Sequence, residues 1–225
     1  MALDAKAFKT RTLTAIVFVI VMLIGLLWNQ WSFAVLFIVI HFGCWYEFVK
    51  LIKKIHPVSY KLISVAGLLY ITLPIVLLLY MRLDKNVMHD NVVLKVVPSG
   101  IIFSIWINDT MAYIVGSLIG KTPLSKISPK KTWEGTIGGA LLCIITISLV
   151  GNATGFYNYK NWIVIASCCA FFGTLGDLLE SKLKRMANVK DSGTLMPGHG
   201  GFLDRFDSLL VATTFVALYY FFVMW

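Results

Sequence analysis

The segment from Ser181 to Asp207, SKLKRMANVKDSGTLMPGHGGFLDRFD, gathers acids, lysines, arginines and glycines between two apolar stretches. Asp204 and Asp207 are spaced i, i+3 at the predicted start of the last helix, and Asp177 precedes the segment. Hard divalent cations bind carboxylate oxygens and usually keep phosphate oxygens as further ligands. The pattern predicts one or two such ions, held by Asp177 and Asp204, with Asp207 as a nearby third acid.

Asp177, Ser181 and Lys184 are spaced i, i+4, i+7, so on a helix they share one face. An acid, a hydroxyl and a base aligned in this way resemble half of a metal–phosphate site. The alternative is the polar end of an amphipathic helix. His199 is open to two interpretations, a structural hydrogen-bonding residue or a base or ligand. Gly200 and its neighbouring glycines suit a close backbone approach to a ligand.

A second polar segment, SPKKTWEGTIGG at residues 128–139, lies at the predicted mouth of a helix. Hydroxyls and lysines beside a helix N-terminus suit a phosphate, because the free backbone N–H groups and the helix dipole add to the ammonium charge. The residues concerned are Ser128, Lys130, Lys131 and Thr132. The alternative is an ordinary capped helix whose lysines only set membrane orientation.

Asn108 and Asp109 fall near the middle of an apolar stretch. An ionisable group there is costly and usually marks a polar cavity, an ion or a partner. The alternative is a structural aspartate paired with a basic residue of another helix.

These residues must be positioned by membrane helices, because the chain is only 14% charged and its mean hydropathy is +0.80. The fold class predicted is an all-α, polytopic integral membrane protein of about seven transmembrane helices. The expected spans are 12–28, 31–52, 62–81, 98–119, 135–151, 162–180 and 207–225. We expect the first to remain a span, since no small-residue cleavage site follows it. Pro74 is expected to kink the third.

The lysines and arginines predict the orientation. With the N-terminus cytoplasmic, sixteen fall on the inner side and four on the outer side. The motif loops 120–134 and 181–206 then both face the cytoplasm. Residues 1–97 are expected to form the N-terminal transmembrane helices, and residues 98–225 the catalytic half. A cytoplasm-facing site of acids, bases and glycine loops at headgroup depth suits phosphoryl or nucleotidyl transfer on a lipid.

The segment 181–207 resembles the signature of the phosphatidate cytidylyltransferases, the CDP-diacylglycerol synthases. In that family's pattern S-x-aliphatic-K-R precedes K-D, a small residue and P-x-H-G-G-x-x-D-R-x-D, and every fixed position is present. Met196 stands where Leu, Ile or Phe is more usual. NDTMAYIVGSLIGK (108–121) and SPKKTWEGTIGG resemble the family's preceding segments.

The resemblance implies transfer of CMP from CTP to phosphatidic acid, which yields CDP-diacylglycerol and pyrophosphate in phospholipid biosynthesis. It implies Mg²⁺ with a second metal ion, Asp177 and Asp204 as metal ligands, and a homodimer in the cell's inner or plasma membrane. CTP, phosphatidic acid and membrane lipids are the expected partners, and nucleic acid is not. The expected catalytic residues are Asp177, Asp204, Asp207, Lys184 and Arg185. The expected substrate-binding residues are Ser128, Lys130, Lys131, Thr132, Ser181, Lys190, His199, Gly200 and Arg205.

Two other functions compete with this one. A related cytidylyltransferase would use another lipid phosphate, because the spans and not the signature read the acceptor. A transporter or channel would suit Asp109 and the glycine-rich spans, but it would not need motif loops on one face, and no inverted repeat is visible.

Overall fold

The computed structural model describes the backbone of residues 5–83, 93–194 and 200–224, and the side chains of residues 12–83, 96–194 and 200–224. No β-strand forms across these ranges, and Pro123 and Thr132 pair in an isolated antiparallel bridge. The same residues form eight α-helices: α1 Ala5–Leu27, α2 Gln30–Ile55, α3 Tyr60–Ser64, α4 Leu73–Leu83, α5 Val93–Ile119, α6 Trp133–Ala153, α7 Tyr159–Met186 and α8 Leu203–Tyr219. Short π-helical segments cover Leu68–Thr72 and Tyr220–Met224.

Six helical segments within the described chain are long and apolar enough to cross a membrane: Gln30–Ile55, Tyr60–Leu83, Val96–Ile119, Trp133–Ala153, Tyr159–Met186 and Leu203–Met224. The first predicted span corresponds to α1, whose apolar part, Thr12–Leu27, is shorter. Large apolar side chains such as Val35 and Leu149 are exposed on these helices, as expected where lipid is the solvent. The chain is an all-α polytopic integral membrane protein, as predicted.

Three predicted spans, the third, sixth and seventh, differ from the observed helices. Helix α7 continues to Met186 and α8 begins at Leu203, so the segment between them covers 187–202 and not 181–206. Hydropathy detects only the apolar part of a helix, whereas the basic last turn of α7 is favoured by the helix dipole. The third span contains α3, a π-helical segment and α4, and Pro74 is the second residue of α4, two positions after the π-helical segment ends. Proline cannot donate a backbone hydrogen bond, which explains an irregularity at this place.

The chain forms two compact units that interleave in sequence. Unit 1 contains Met1–Thr72 and Leu183–Phe206, and unit 2 contains Leu73–Lys182 and Asp207–Trp225. The signature segment, 181–207, therefore contributes to both, with Asp204 in unit 1 and Asp207 in unit 2. Asp177, which precedes the segment, also belongs to unit 2.

In unit 1, the turn between α1 and α2 is fixed by a capping box. The Asn29 side chain accepts a hydrogen bond from Ser32 N at 2.8 Å, and the Ser32 hydroxyl accepts one from Asn29 N at 3.1 Å. A short, capped turn places α1 and α2 side by side, and they bury apolar side chains that include Met22, Leu26, Phe33, Phe37 and Ile40. This packing fixes the position of α2 in unit 1.

In unit 2, α5 and α6 approach closely through small residues on both helices. A Cβ atom at Gly135 would lie 2.7 Å from the carbonyl oxygen of Ala112 and 2.9 Å from Cα of Gly116. One at Gly139 would lie 2.7 Å from the Ala112 side chain. Small residues four apart are a common way for membrane helices to pack, because they let the backbones come together.

Gly139→Val should separate α5 from α6 and destabilise unit 2 by about 1–3 kcal/mol, the usual cost of overpacking a filled core. The measurement is the thermal melting temperature in detergent. Ala153→Val adds bulk at an exposed position near the end of the same helix and is the matched control. Equal melting temperatures for the two variants would contradict the close packing.

Candidate active site

The loop before α6, in unit 2, is closed by its own backbone. Leu124 N donates to the Lys131 carbonyl at 2.7 Å, and Trp133 N donates to the Thr122 carbonyl at 2.9 Å. The Glu134 carboxylate accepts hydrogen bonds from the N–H groups of Lys121 and Thr122 and from the Thr122 hydroxyl, at 2.9–3.2 Å. The first turn of α6 thus holds the start of the loop.

This closure places the predicted phosphate-binding residues at one helix mouth. Thr132 is the N-cap of α6, and its hydroxyl oxygen accepts a hydrogen bond from Gly135 N at 3.1 Å. The Ser128 carbonyl accepts from Lys131 N at 3.1 Å. Lys130 is exposed. All four predicted residues of this loop lie in the short segment that directly precedes α6.

Lys131 also reaches the α7 helix. Its Nζ lies 2.5 Å from Oδ2 of Asp177, and both side chains are partly exposed. A partly exposed pair of this kind adds little to stability because water screens it. It does place a predicted metal ligand directly beside a predicted phosphate-binding lysine.

Further acids surround this pair in unit 2. Asp207 is 5% exposed and lies within electrostatic range of Asp177, Glu180 and Asp109. Three helices, α5, α7 and α8, contribute these four carboxyl groups. Like charges at close range repel each other unless a cation or a proton intervenes.

The donor set suits a hard divalent cation in chemical type. Within the described ranges, no three His, Cys, Asp or Glu side chains form a metal-binding group by themselves. A Mg²⁺ ion here would take its other ligands from water or substrate phosphate, as is common for this ion.

In unit 1, Asp204 is the centre of a dense hydrogen-bonding cluster. Its Oδ1 accepts from Lys184 Nζ at 2.7 Å. Its Oδ2 accepts from Gly201 N and Ser192 N, both at 2.8 Å, and lies 2.9 Å from the Ser192 hydroxyl. Gly200 adopts a φ of +88°, and a Cβ there would lie 2.6 Å from Oδ2 of Asp204. Glycine is therefore required at position 200 both by conformation and by space.

Asp204 fits a metal less readily than the acids of unit 2, because four donors already use its oxygens. It would have to exchange the Lys184 ammonium for an ion. Asp177 and Asp204 belong to different units, and their joint action on one ion stays a prediction.

Glu47 of α2 belongs to the same cluster of unit 1. It is 3% exposed and accepts hydrogen bonds from the Ser192 hydroxyl at 2.6 Å, Phe202 N at 3.0 Å and Leu203 N at 2.9 Å. Glu47 is not among the site residues predicted from the sequence, because the first half of the chain shows only the general pattern of membrane spans. An acid alone in an apolar helix was the available signal.

The remaining predicted site residues lie outside these clusters or at their edges. Ser181 is half-buried on α7, whereas Arg185, Lys190 and Arg205 are exposed. His199 lies outside the described residues. Asn108 is buried, and its amide nitrogen lies 3.4 Å from Oδ1 of Asp109.

Comparisons with known proteins agree with the signature. A family model described as the cytidylyltransferase family matches residues 89–223. Over 213 residues the chain is 37% identical to a phosphatidate cytidylyltransferase of Rickettsia bellii, covering 89% of this chain and 85% of that one.

Other relatives match over shorter stretches. A phosphatidate cytidylyltransferase of Haemophilus influenzae is 44% identical over 126 residues, which are 53% of this chain and 44% of that protein. One from Staphylococcus saprophyticus is 49% identical over 109 residues, 47% and 42% of the two chains. The matched parts thus span less than half of these two relatives. The family match covers more than half of the chain, and the Rickettsia match covers most of both proteins. The chain belongs to the cytidylyltransferase family.

Proposed function

We propose that the protein transfers CMP from CTP to phosphatidic acid and forms CDP-diacylglycerol and pyrophosphate. The observation that carries this proposal is the similarity to a phosphatidate cytidylyltransferase of Rickettsia bellii along nearly the whole of both chains. The two charged clusters support it, because each pairs a lysine with an aspartate from the motif segments.

The reaction depends on electrostatic stabilisation of the reacting anions more than on proton transfer. A phosphate oxygen of phosphatidic acid attacks the α-phosphorus of CTP, a new P–O bond forms, and the bond to the β-phosphate breaks as pyrophosphate leaves. The second pKa of a phosphate monoester is about 6, so the attacking oxygen is already largely anionic at neutral pH. The protein must bring two anions together and stabilise the leaving group.

The lysines and arginines supply the positive charge for this step. Lys184, Arg185 and Lys190 are proposed to contact the triphosphate or the leaving pyrophosphate. Arg205 is proposed to meet the lipid phosphate. The nucleotide or the lipid phosphate is assigned to Ser128, Lys130, Lys131 and Thr132 at the mouth of α6. Ser181, His199 and Gly200 are proposed to shape the substrate site.

Mg²⁺ is the proposed cofactor, in one or two ions. Asp177 and Asp204 are the proposed ligands, with Asp207 as the additional acid. The crowding of carboxyl groups around Asp207 supports a cation in this part of unit 2. When bound, the ion would neutralise phosphate charge and stabilise the leaving pyrophosphate.

The acyl chains of the acceptor are proposed to lie in an apolar groove of unit 1. The groove has a volume of about 390 Å³. It lies between α1 and α2 and includes two side chains of the signature that flank Asp204. Its lining is Leu13, Thr14, Val17, Phe18, Val21, Met22, Leu36, Val39, Ile40, Phe202 and Phe206. An apolar groove that begins beside a polar cluster matches a lipid with a phosphate head.

The site is proposed to face the cytoplasm, on the distribution of lysines and arginines. A homodimer, implied by the family resemblance, is proposed as the assembly. Light scattering of the detergent-solubilised protein would measure its mass.

The test of the function uses purified protein in detergent–lipid micelles with CTP labelled in the cytidine. Lipid-linked CMP and pyrophosphate are expected only when CTP, phosphatidic acid and Mg²⁺ are all present. Product with a different lipid phosphate alone would identify another acceptor. If folded protein forms no product with any acceptor, the proposed enzymatic activity is refuted, and a transporter becomes the favoured function.

Asp204→Asn should lower kcat by about 100-fold or more, a loss typical of removing one preorganised electrostatic contact at an active site. The amide keeps one acceptor oxygen where four donors meet, so Lys184 or the loop N–H groups lose a partner. Turnover is measured per folded protein, after size-exclusion chromatography. Asp84→Asn, outside the signature, is the control. Wild-type turnover in folded Asp204→Asn would contradict the role of Asp204.

Val39→Trp should fill the groove and raise the KM for long-chain phosphatidic acid several-fold, while short-chain phosphatidic acid is turned over nearly as before. Val35→Trp places the same bulk one turn away on α2, at an exposed position outside the groove lining, and is the matched control. The measurement is KM as a function of acyl length. An equal effect on long and short chains would rule out the groove as an acyl site.

A further inference from the structure

Glu47 is the only acidic residue between Asp4 and Asp84, and it lies within a membrane-spanning helix. Its side chain is buried and accepts hydrogen bonds from one hydroxyl and two backbone N–H groups. A buried carboxylate is costly unless such donors satisfy it. The three groups that donate to Glu47 therefore explain why a glutamate can be buried in this helix.

Glu47 ties the loop between α7 and α8 to the start of α8. Phe202 N and Leu203 N lie at the start of α8, where backbone donors have no partner within the helix. Ser192 lies inside the loop, ten residues before Phe202. One side chain of α2 therefore links a residue of the loop to the start of the following helix.

The glycines of the signature make room for this carboxylate. A Cβ atom at Gly193 or at Gly201 would overlap the carboxylate oxygens of Glu47. Two glycines of the signature thus lie against a residue that is about 150 positions away in sequence. The space that Glu47 occupies explains why glycine stands at both positions.

Ser192 connects Glu47 to Asp204. The Ser192 hydroxyl lies 2.6 Å from Oε2 of Glu47 and 2.9 Å from Oδ2 of Asp204, and Ser192 N donates to the same Asp204 oxygen. A hydroxyl has a single hydrogen to donate, so the two carboxyl groups share it. A displacement of Glu47 is therefore passed to Asp204 through one side chain.

We propose that Glu47 is a positioning residue of the transferase reaction, which holds Ser192 and the start of α8 so that Asp204 keeps its place. The proposal rests on the proposed function. It makes the first half of the chain part of the active site, although the family match begins only at residue 89.

The first test is Glu47→Gln, assayed beside the wild type with CTP and phosphatidic acid. The amide keeps the shape but offers an N–H₂ group to donors, so one of the three contacts is lost. We expect kcat to fall at least tenfold, with less change in the KM for CTP and with the wild-type elution profile. Phe37→Leu, which truncates a buried side chain of the same helix, is the control for general destabilisation. Its kcat per folded protein should match the wild type.

If Glu47→Gln does not fold, Ser192→Ala provides a second test of the same contact. Ser192→Ala leaves both backbone bonds of Glu47 intact and removes only the shared hydroxyl, so kcat should again fall. A double-mutant cycle adds a contact readout: Gly201→Ala should cost less activity in a Glu47→Ala background, because the overlapping carboxylate is gone.

The outcomes separate the two claims. An inactive wild type would refute the proposed function. An active wild type with folded, fully active Glu47→Gln or Ser192→Ala would overturn the positioning role alone. Equal losses in Glu47→Gln and Phe37→Leu would also overturn it, because the effect would then be one of stability.

Discussion

The hydrogen bonds to Asp204 are the interaction on which unit 1 depends. Lys184, Ser192 and Gly201 all donate to one carboxylate. Lys184 lies at the end of α7, and the other two lie in the loop that leads to α8. Without a shared acceptor, an acidic and glycine-rich loop next to membrane helices would have no apolar core of its own to order it. Breaking a buried pair of this kind by removing one partner costs about 3–5 kcal/mol, because the other charge stays buried. The described residues of the loop are thus held by polar groups, and the helices by apolar ones.

The polar segments of the two units are held by different kinds of interaction. In unit 2 the loop before α6 is tied by backbone bonds and by Glu134, and Lys131 reaches Asp177 from a partly exposed position. In unit 1 the cluster around Asp204 is more buried and has more donors. The more exposed pair is therefore the more easily rearranged, and the buried one is the more rigid.

The sequence predicts much of this arrangement because most of it is local. Apolar length predicts six of the spans, and the signature predicts Asp204 and Lys184 as site residues. Helical periodicity cannot predict that Lys184 pairs with Asp204, because that contact depends on the path of the loop between them. The contacts of Glu47 are harder still to predict from the sequence. Its partners lie 145 to 156 residues away, and no spacing rule covers that separation. The predicted end of α7 and start of α8 differ from the observed ones because polar helical turns have no hydropathy signal.

The ion pairs of the two lysines have a consequence for selectivity. Lys131 and Lys184 each already neutralise an aspartate, so a phosphate group does not meet a bare ammonium but competes with a carboxylate that is in place. For a lone monophosphate such an exchange yields little, since one anion replaces another. A polyphosphate that arrives with its own cation differs, because the cation can take over the carboxylate as the phosphate takes the lysine. In the proposed reaction, the pairing would favour metal-loaded nucleotides over free phosphates and metal-free nucleotides.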